Sequence, residues 1–315
     1  MSDKKIIVVL GATGAQGGGL VRAILDDPDG PFAARAVTRN AGSAKARALA
    51  ERGAEVVEAT LDDEESLRQA FAGAHGAYVV TNFWESMSAD VELAQAAAAA
   101  RAAKAAGVAH VVWSTLEDTR EVLPVSDHRV PVLQERYTVP HFDAKAEADA
   151  FFRDAGVPTT YLRSTFYWEG FTQGTGPMRG EDGRLVLTLP IGQARLSGIA
   201  AEDIGRSAYG VFAAGEQYVG ETVSIAGEHL TGAEYAAAFA DALGEPVEYR
   251  PLTHDRFRSL GLPAGEEFGN MFQFYVEGER DFVAARDLDV VRSLNPRLQT
   301  FRAWLAEHVE DVRPA

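Results

Sequence analysis

A doubly wound parallel α/β sheet with a smaller α+β unit behind it is the architecture this chain points to, on three observations. Apolar runs alternate with helix-like segments from Ile6 to Thr165, and such alternation builds βαβ units. The first apolar run feeds straight into a glycine-rich turn that opens a helix. After about Phe171 the alternation stops and turn-rich sequence takes over.

The first strand, Ile6–Leu10 (IIVVL), is mostly β-branched and uninterrupted, as a strand buried on both faces requires. Further strands are expected at Ala33–Thr38, Ala54–Thr60, Gly76–Thr81, His110–Thr115 and Thr159–Thr165. Helices fall between them at Gly17–Asp26, Ala41–Arg52, Asp63–Ala72, Ala89–Ala106 and Asp143–Ala155. The alanine-rich stretch Ala94–Gly107 reads as a helix packed closely on the sheet, because alanine is the best helix former and Gly107 a natural stop. Beyond Phe171 the pattern predicts a strand at Leu185–Leu189, a helix near Ala201–Ala214, a strand near Thr222–Ala226, a helix near Thr231–Leu243, a strand near Val247–Tyr249 and several C-terminal helices. The expected division is residues 1–170 for the first domain, rejoined by parts of 190–226, and 171–315 for the second.

Composition narrows the partners. The chain has 315 residues, 30 Lys+Arg against 46 Asp+Glu, and a formal charge of −16. That field repels nucleic-acid phosphates and anionic lipid, so neither is expected as a main partner. The absence of cysteine removes disulfides, thiolate nucleophiles and Cys-based zinc sites. The histidines show no metal-ligand spacing, so no metal is expected. The N-terminal apolar run is too short for a signal core or a membrane span, which makes a cytoplasmic protein the default.

Gly11, Gly14 and Gly17 form G-x-x-G-x-x-G between strand and helix. The first glycine permits the turn, the second lets backbone approach a pyrophosphate, and the third lets helix pack on strand. The helix start then offers free N–H groups and partial positive charge to phosphates. At the end of the next strand, where an NAD site carries an acid for the ribose 2′-OH, this chain has Arg39 in VTRN. A guanidinium suits a 2′-phosphate, so NADP(H) is expected over NAD(H). After the third strand, Asp62, Asp63 and Ser66 suit helix capping, with an adenine contact by Asp63 or Glu64 as an additional role.

With GATGAQGGG, VTRN, TNFWES, HFDAK, GVPTTYLRSTFYWEGF and GNMFQFY in order, the chain resembles the NmrA-like family of atypical short-chain dehydrogenases/reductases, nearest its NADPH-sensor type. The resemblance runs nearly end to end. It implies that Gly11, Ala12, Thr13, Gly14, Ala15 and Gln16 cradle the pyrophosphate, and that Arg39, Asn40 and the residues up to Ser43 take the 2′-phosphate. It further implies that Thr81, Asn82 and Phe83 line the nicotinamide-side ribose, that Lys145 bonds that ribose, and that Tyr167, Trp168, Glu169 and Gly170 close over the nicotinamide end. One departure is visible: related sensors carry a lysine where this chain has Ala94.

Reductases of this superfamily use Tyr-x-x-x-Lys, four residues apart on one helix face. Here His141 stands in the tyrosine place before Lys145, and Ser114 or Thr115 takes the serine place. Either His141 donates protons, as an imidazole can at neutral pH, or the donor is lost and the fold only binds cofactor, as the resemblance implies. Tyr137 is a further donor candidate that would have to swing in. Trp84, Glu85 and Phe272 are candidates for a substrate pocket, and the proline-containing loop Val122–Pro140 for a lid or partner-binding loop. Three functions compete: a redox sensor reporting to a regulatory protein partner, an NADPH-dependent reductase of a small quinone, imine or carbonyl, and a non-redox enzyme retaining the dinucleotide. A homodimer fits any of them.

Overall fold

The structure, a computed structural model, describes residues 4–314; residues 1–3 and 315, at the outer bounds of the expected domains, lie outside the described residues. Its strands are β1 (Lys5–Val9), β2 (Phe32–Thr38), β3 (Glu55–Glu58), β4 (Gly76–Val79), β5 (His110–Thr115), β6 (Thr159–Arg163), β7 (Phe166–Tyr167), β8 (Met178–Arg179), β9 (Leu185–Leu187), β10 (Arg195–Ile199), β11 (Thr222–Ser224), β12 (Glu228–Thr231) and β13 (Val247–Tyr249). Seven of them form one sheet in the order β11-β6-β5-β4-β1-β2-β3. Every pairing in it is parallel. The direction of winding reverses between β1 and β4, and ligands bind at such a switch point, beyond the C-terminal ends of the strands.

Helices α1 (Ala15–Leu25), α2 (Ala44–Glu51), α3 (Glu64–Phe71), the single turn α4 (Phe83–Ser86), α5 (Ala89–Ala105), α6 (Pro140–Ala155) and α7 (Ala201–Ala214) flank this sheet. One face packs Leu20, Ile24, Ile204 and Phe212 against β1 and β2, and the other packs the alanines of α5 with Phe71, Trp113 and Phe152. Helix α6 begins at Pro140 rather than at Asp143. Proline is favoured at the first helical position, and this earlier start brings His141 into the helix, one turn before Lys145.

Two segments within 190–226 lie on the large sheet. β11 pairs with β6 at the edge of the large sheet, and α7 lies against α1 so closely that a Cβ on Gly19 would sit 2.5 Å from the Glu202 carbonyl oxygen. A three-stranded sheet, β12-β10-β7, links the halves, and β13-β9-β8 forms another. Helices α8 (Gly232–Leu243), α9 (His254–Arg258), α10 (Gly265–Glu277), α11 (Glu279–Ala284), α12 (Leu288–Leu294) and α13 (Phe301–His308) complete the chain. They enclose a second core of aromatics, including Trp168, Tyr235, Phe239, Phe301 and Trp304. No helix of the described residues is long and apolar enough to cross a membrane.

Candidate functional site

A cleft of about 670 Å³ opens at the switch point. Its floor is the turn between β1 and α1. Gly11 has φ +65°, the left-handed region that glycine enters without strain. A Cβ on Gly17 would lie 2.5 Å from the Gly11 carbonyl oxygen, so only glycine lets α1 sit this close to β1. No side chain caps α1. Its first N–H groups, at the positive end of the helix dipole, therefore face the cleft.

Gly11, Thr13, Gly14, Ala15, Gln16 and Gly17 line this floor. Arg39, Asn40, Ser43 and Lys45 line one end, Asp62 and Gln95 a side wall, and Thr81, Asn82, Glu85 and Tyr167 the other end. Arg39 reaches across to Glu85 with two bonds of 2.6 and 3.1 Å, and Glu85 also accepts from the Asn82 amide at 3.0 Å. Lys45 makes no ion pair among the described residues. Gln95 donates to Asp62 at 2.9 Å.

Beyond Thr81 the site becomes buried. Lys145 Nζ lies 2.7 Å from both Thr81 Oγ1 and Glu92 Oε1. Glu92 is 1% exposed, and its second oxygen has no partner. Ser114 Oγ and the Tyr78 hydroxyl both donate to Gln16 Oε1, at 2.9 and 2.6 Å. The Gln16 amide in turn donates to the Tyr167 hydroxyl at 2.5 Å. Burial pushes Tyr167 up to about 12. Its phenol therefore stays protonated across ordinary pH. Thr115 faces away from this network and bonds the buried Asp149, so Ser114 is the member of the pair that meets Gln16.

His141 stands one helical turn before Lys145. Its Nδ1 is 2.6 Å from Glu267 Oε1, and its backbone N–H donates to the same oxygen at 2.9 Å. The ring packs 4.8 Å from Trp84, which stacks at 5.0 Å on Phe268. The start of α6 is fixed by Asp143, whose carboxylate accepts from the Thr119 amide and hydroxyl and from the Thr138 and Val139 amides at 2.6–3.0 Å. Asn270 on α10 donates to the carbonyls of Pro131 and Thr138. These bonds fix the loop expected to act as a lid at its middle, Pro131, and at its C-terminal end, Thr138 and Val139.

Several expected residues lie elsewhere. Ala12 is buried, with its N–H turned to the Val37 carbonyl. Asp63 caps α3, and Glu64 pairs with Arg68 and Arg101, so Asp62 and Gln95 occupy that corner instead. Phe83 is buried beside His141. β7 ends at Tyr167, which meets the cleft, and the chain then turns into a 3₁₀ helix (Trp168–Thr172), so Trp168 enters the second core and donates to the Tyr235 hydroxyl. Glu169 accepts from the first amide of α7, and Gly170 packs on Phe166. Phe272 lies between Phe166 and Phe257 in that same core. Trp84 is 41% exposed, and Glu85 is on the cleft wall. Tyr137 is buried and donates to Glu147, between Arg120 and Arg136.

Lys45, Asp62, Gln95, Glu92 and Glu267 belong to the site without having been assigned to it from sequence. Lys45 follows Ser43 by two residues in RNAGSAK, a signal that was available. Glu267 is 126 residues from His141, and no local pattern joins them.

The NmrA-like family model matches residues 3–305. The NmrA-like family domain-containing oxidoreductase ptmS of Penicillium ochrochloron is 25% identical over 338 residues, covering 96% of this chain and 97% of that protein. The negative transcriptional regulator NmrA superposes with a TM-score of 0.76 in complex with NADP and 0.77 with NAD, at 22% identity over 98% of this chain and 97% of that one. Citrobacter sp. triphenylmethane reductase complexed with NADP(H) gives 0.71 at 21% identity, covering 98% of both chains.

Proposed function

The chain belongs to the NmrA-like family, and from that premise we propose that it binds NADP(H) in the cleft and reduces a small carbonyl, imine or quinone. One observation carries this reading. A single cleft runs from the cationic pair Arg39 and Lys45, past the uncapped start of α1, to Thr81 and Tyr167, with Lys145 directly behind Thr81.

The donor set fits the cofactor. The α1 turn suits a pyrophosphate, and Arg39, Lys45 and Ser43 suit a 2′-phosphate. Thr81 and Asn82 suit the nicotinamide-side ribose. When bound, NADPH supplies a hydride. Lys145 Nζ stands at that end of the cleft, held in place by Glu92 and Thr81. The Tyr167 hydroxyl, fixed by Gln16 and next to Ser164, bounds the same end.

Calorimetric titration tests the first half of the reading: NADPH is expected to bind at least tenfold more tightly than NADH. NADPH oxidation over a panel of quinones, aldehydes and imines tests the second, with Lys145→Ala as the control that abolishes it. Equal affinities sink the preference, and silence over the panel sinks the reductase.

The Arg39–Glu85 pair favours a second reading, a redox sensor acting on a protein partner. A 2′-phosphate must draw Arg39 from Glu85, and Glu85 sits on α4 beside the exposed Trp84. On this reading NADPH, and not NADH, changes Trp84 fluorescence and partner binding without turnover.

A further inference from the structure

We propose that His141 and Glu267 form a proton-donating pair that serves the acceptor reduced beside Lys145. The proposal rests on the reductase reading above. Both side chains are more than nine-tenths buried, yet they come from opposite halves of the chain, His141 from α6 and Glu267 from α10.

A carboxylate oxygen only accepts. Glu267 Oε1 therefore takes the His141 backbone N–H and Nδ1–H together, which fixes both the ring's orientation and its tautomer. Nε2 is left as the exchanging nitrogen. No protein group among the described residues bonds it, and it is not among the buried polar atoms left without a partner.

The placement follows from α6. His141 and Lys145 are four residues apart and share a helix face. Lys145 contacts Thr81, and the chain runs from Thr81 through Asn82 and Phe83 to Trp84, whose ring lies against His141. The imidazole thus lies behind Trp84, which is 41% exposed and stands between the cleft-lining Asn82 and Glu85.

The step balances as follows. The Nε2–H bond of the imidazolium breaks, and its electron pair stays on nitrogen. A new O–H or N–H bond forms at the acceptor's heteroatom, while the hydride with its two electrons is the contribution of NADPH, which leaves as NADP+. The neutral imidazole keeps its bond to Glu267 and regains a proton from water.

The test uses the full chain with menadione and benzaldehyde as acceptors. Glu267→Gln and His141→Asn are expected to lower turnover by about a hundredfold or more, within the range of general acid catalysis, while NADPH affinity stays within about twofold. Nitrogen-15 NMR of wild type is expected to show His141 protonated at Nδ1, and Glu267→Gln to lose that preference. Turnover within about threefold of wild type in both variants, or an unprotonated Nδ1 in wild type, overturns the pair. Wild-type silence with both acceptors fails the reductase reading instead. The pair is then decided by the Nε2 resonance: movement on adding menadione supports it as a donor to bound acceptor, and no movement overturns it. Should His141→Asn fail to fold, the nearly isosteric Glu267→Gln and the NMR arm decide alone.

Discussion

On the proposed reading Arg39 takes the 2′-phosphate of NADP(H), and its contacts set the size of the expected effect. Its guanidinium is exposed and already engaged by Glu85, so binding exchanges one anionic partner for another. Arg39→Ala is expected to weaken NADPH about ten- to hundredfold, the value of a charge-assisted pair, and NADH less than about twofold. Glu85→Gln removes the competitor, but an exposed pair contributes little, so NADPH should tighten by no more than about fivefold. Titration of both cofactors against both variants checks this, and weakening of NADH equal to that of NADPH would place Arg39 elsewhere on the ligand. Arg39 and the three glycines were legible because each acts through a local pattern: a strand end or a turn. Glu92 and Glu267 were not, because the pairs Lys145–Glu92 and His141–Glu267 exist only after distant elements pack. A different residue, His110, sets a pH response. It lies buried in β5 against Thr160 and Phe212, and burial pushes it from 6.5 down to about 4. A histidine with a depressed folded value adds stability above its unfolded value and loses it as pH falls between the two. Stability should therefore drop by about 3 kcal/mol between about pH 6.5 and 4 from this residue alone. Urea unfolding across that range checks it, and His110→Asn should flatten that part of the slope.

The elements that build the cleft were readable to different degrees, for physical reasons. β4 and the Val111–Trp113 stretch of β5 are buried on both faces, and β1 is buried from Ile7 to Val9, so these strands hold short unbroken apolar runs, whereas β2 carries Arg35 in its middle and shows its buried positions in alternation. β7, β10 and β12 form a three-stranded sheet at the junction, and β7 has only two residues, too few for a period-two pattern to show. The family resemblance, not a strand pattern, put Trp168 at the nicotinamide end with Tyr167, whereas β7 ends at Tyr167 and Trp168 turns into the aromatic core. Helix α6 starts three residues before the expected Asp143, because Pro140 opens the helix while the Asp143 carboxylate binds the preceding loop. The crossing of α1 and α7 gives an element-level prediction. A Cβ at Gly205 would collide with the backbone amide of Leu20, and neither backbone can yield without moving its helix. Gly205→Ala should cost about 3 kcal/mol, the upper part of the usual overpacking range. Denaturant titration that finds less than about 1 kcal/mol would mean the two helices slide apart readily.

The two cores meet at one short segment. Phe166 belongs to the aromatic core of the second half, Tyr167 to the cleft wall and Trp168 again to the aromatic core. Asp203 on α7 adds a second tie, because its buried carboxylate accepts from the Asn295 side chain and the Gln299 amide, just before α13. Within the second half, Glu228 accepts from the first amide of α13 and so holds that helix beside the tie. A ligand held by Gly11–Gly17 and bounded by Tyr167 therefore acts on contacts that belong to both halves. The two halves are expected to unfold as one cooperative unit, and cofactor should raise both together. At a free NADPH concentration a hundred times its dissociation constant, linkage adds about 2.7 kcal/mol. Spread over the unfolding entropy of a chain this size, that becomes a rise of about 4 °C in Tm. Scanning calorimetry should show a single peak displaced by that amount. Two peaks, only one of them moving with NADPH, would mean that β7 and Asp203 do not couple the halves and that the His141–Glu267 contact joins two independently folding units.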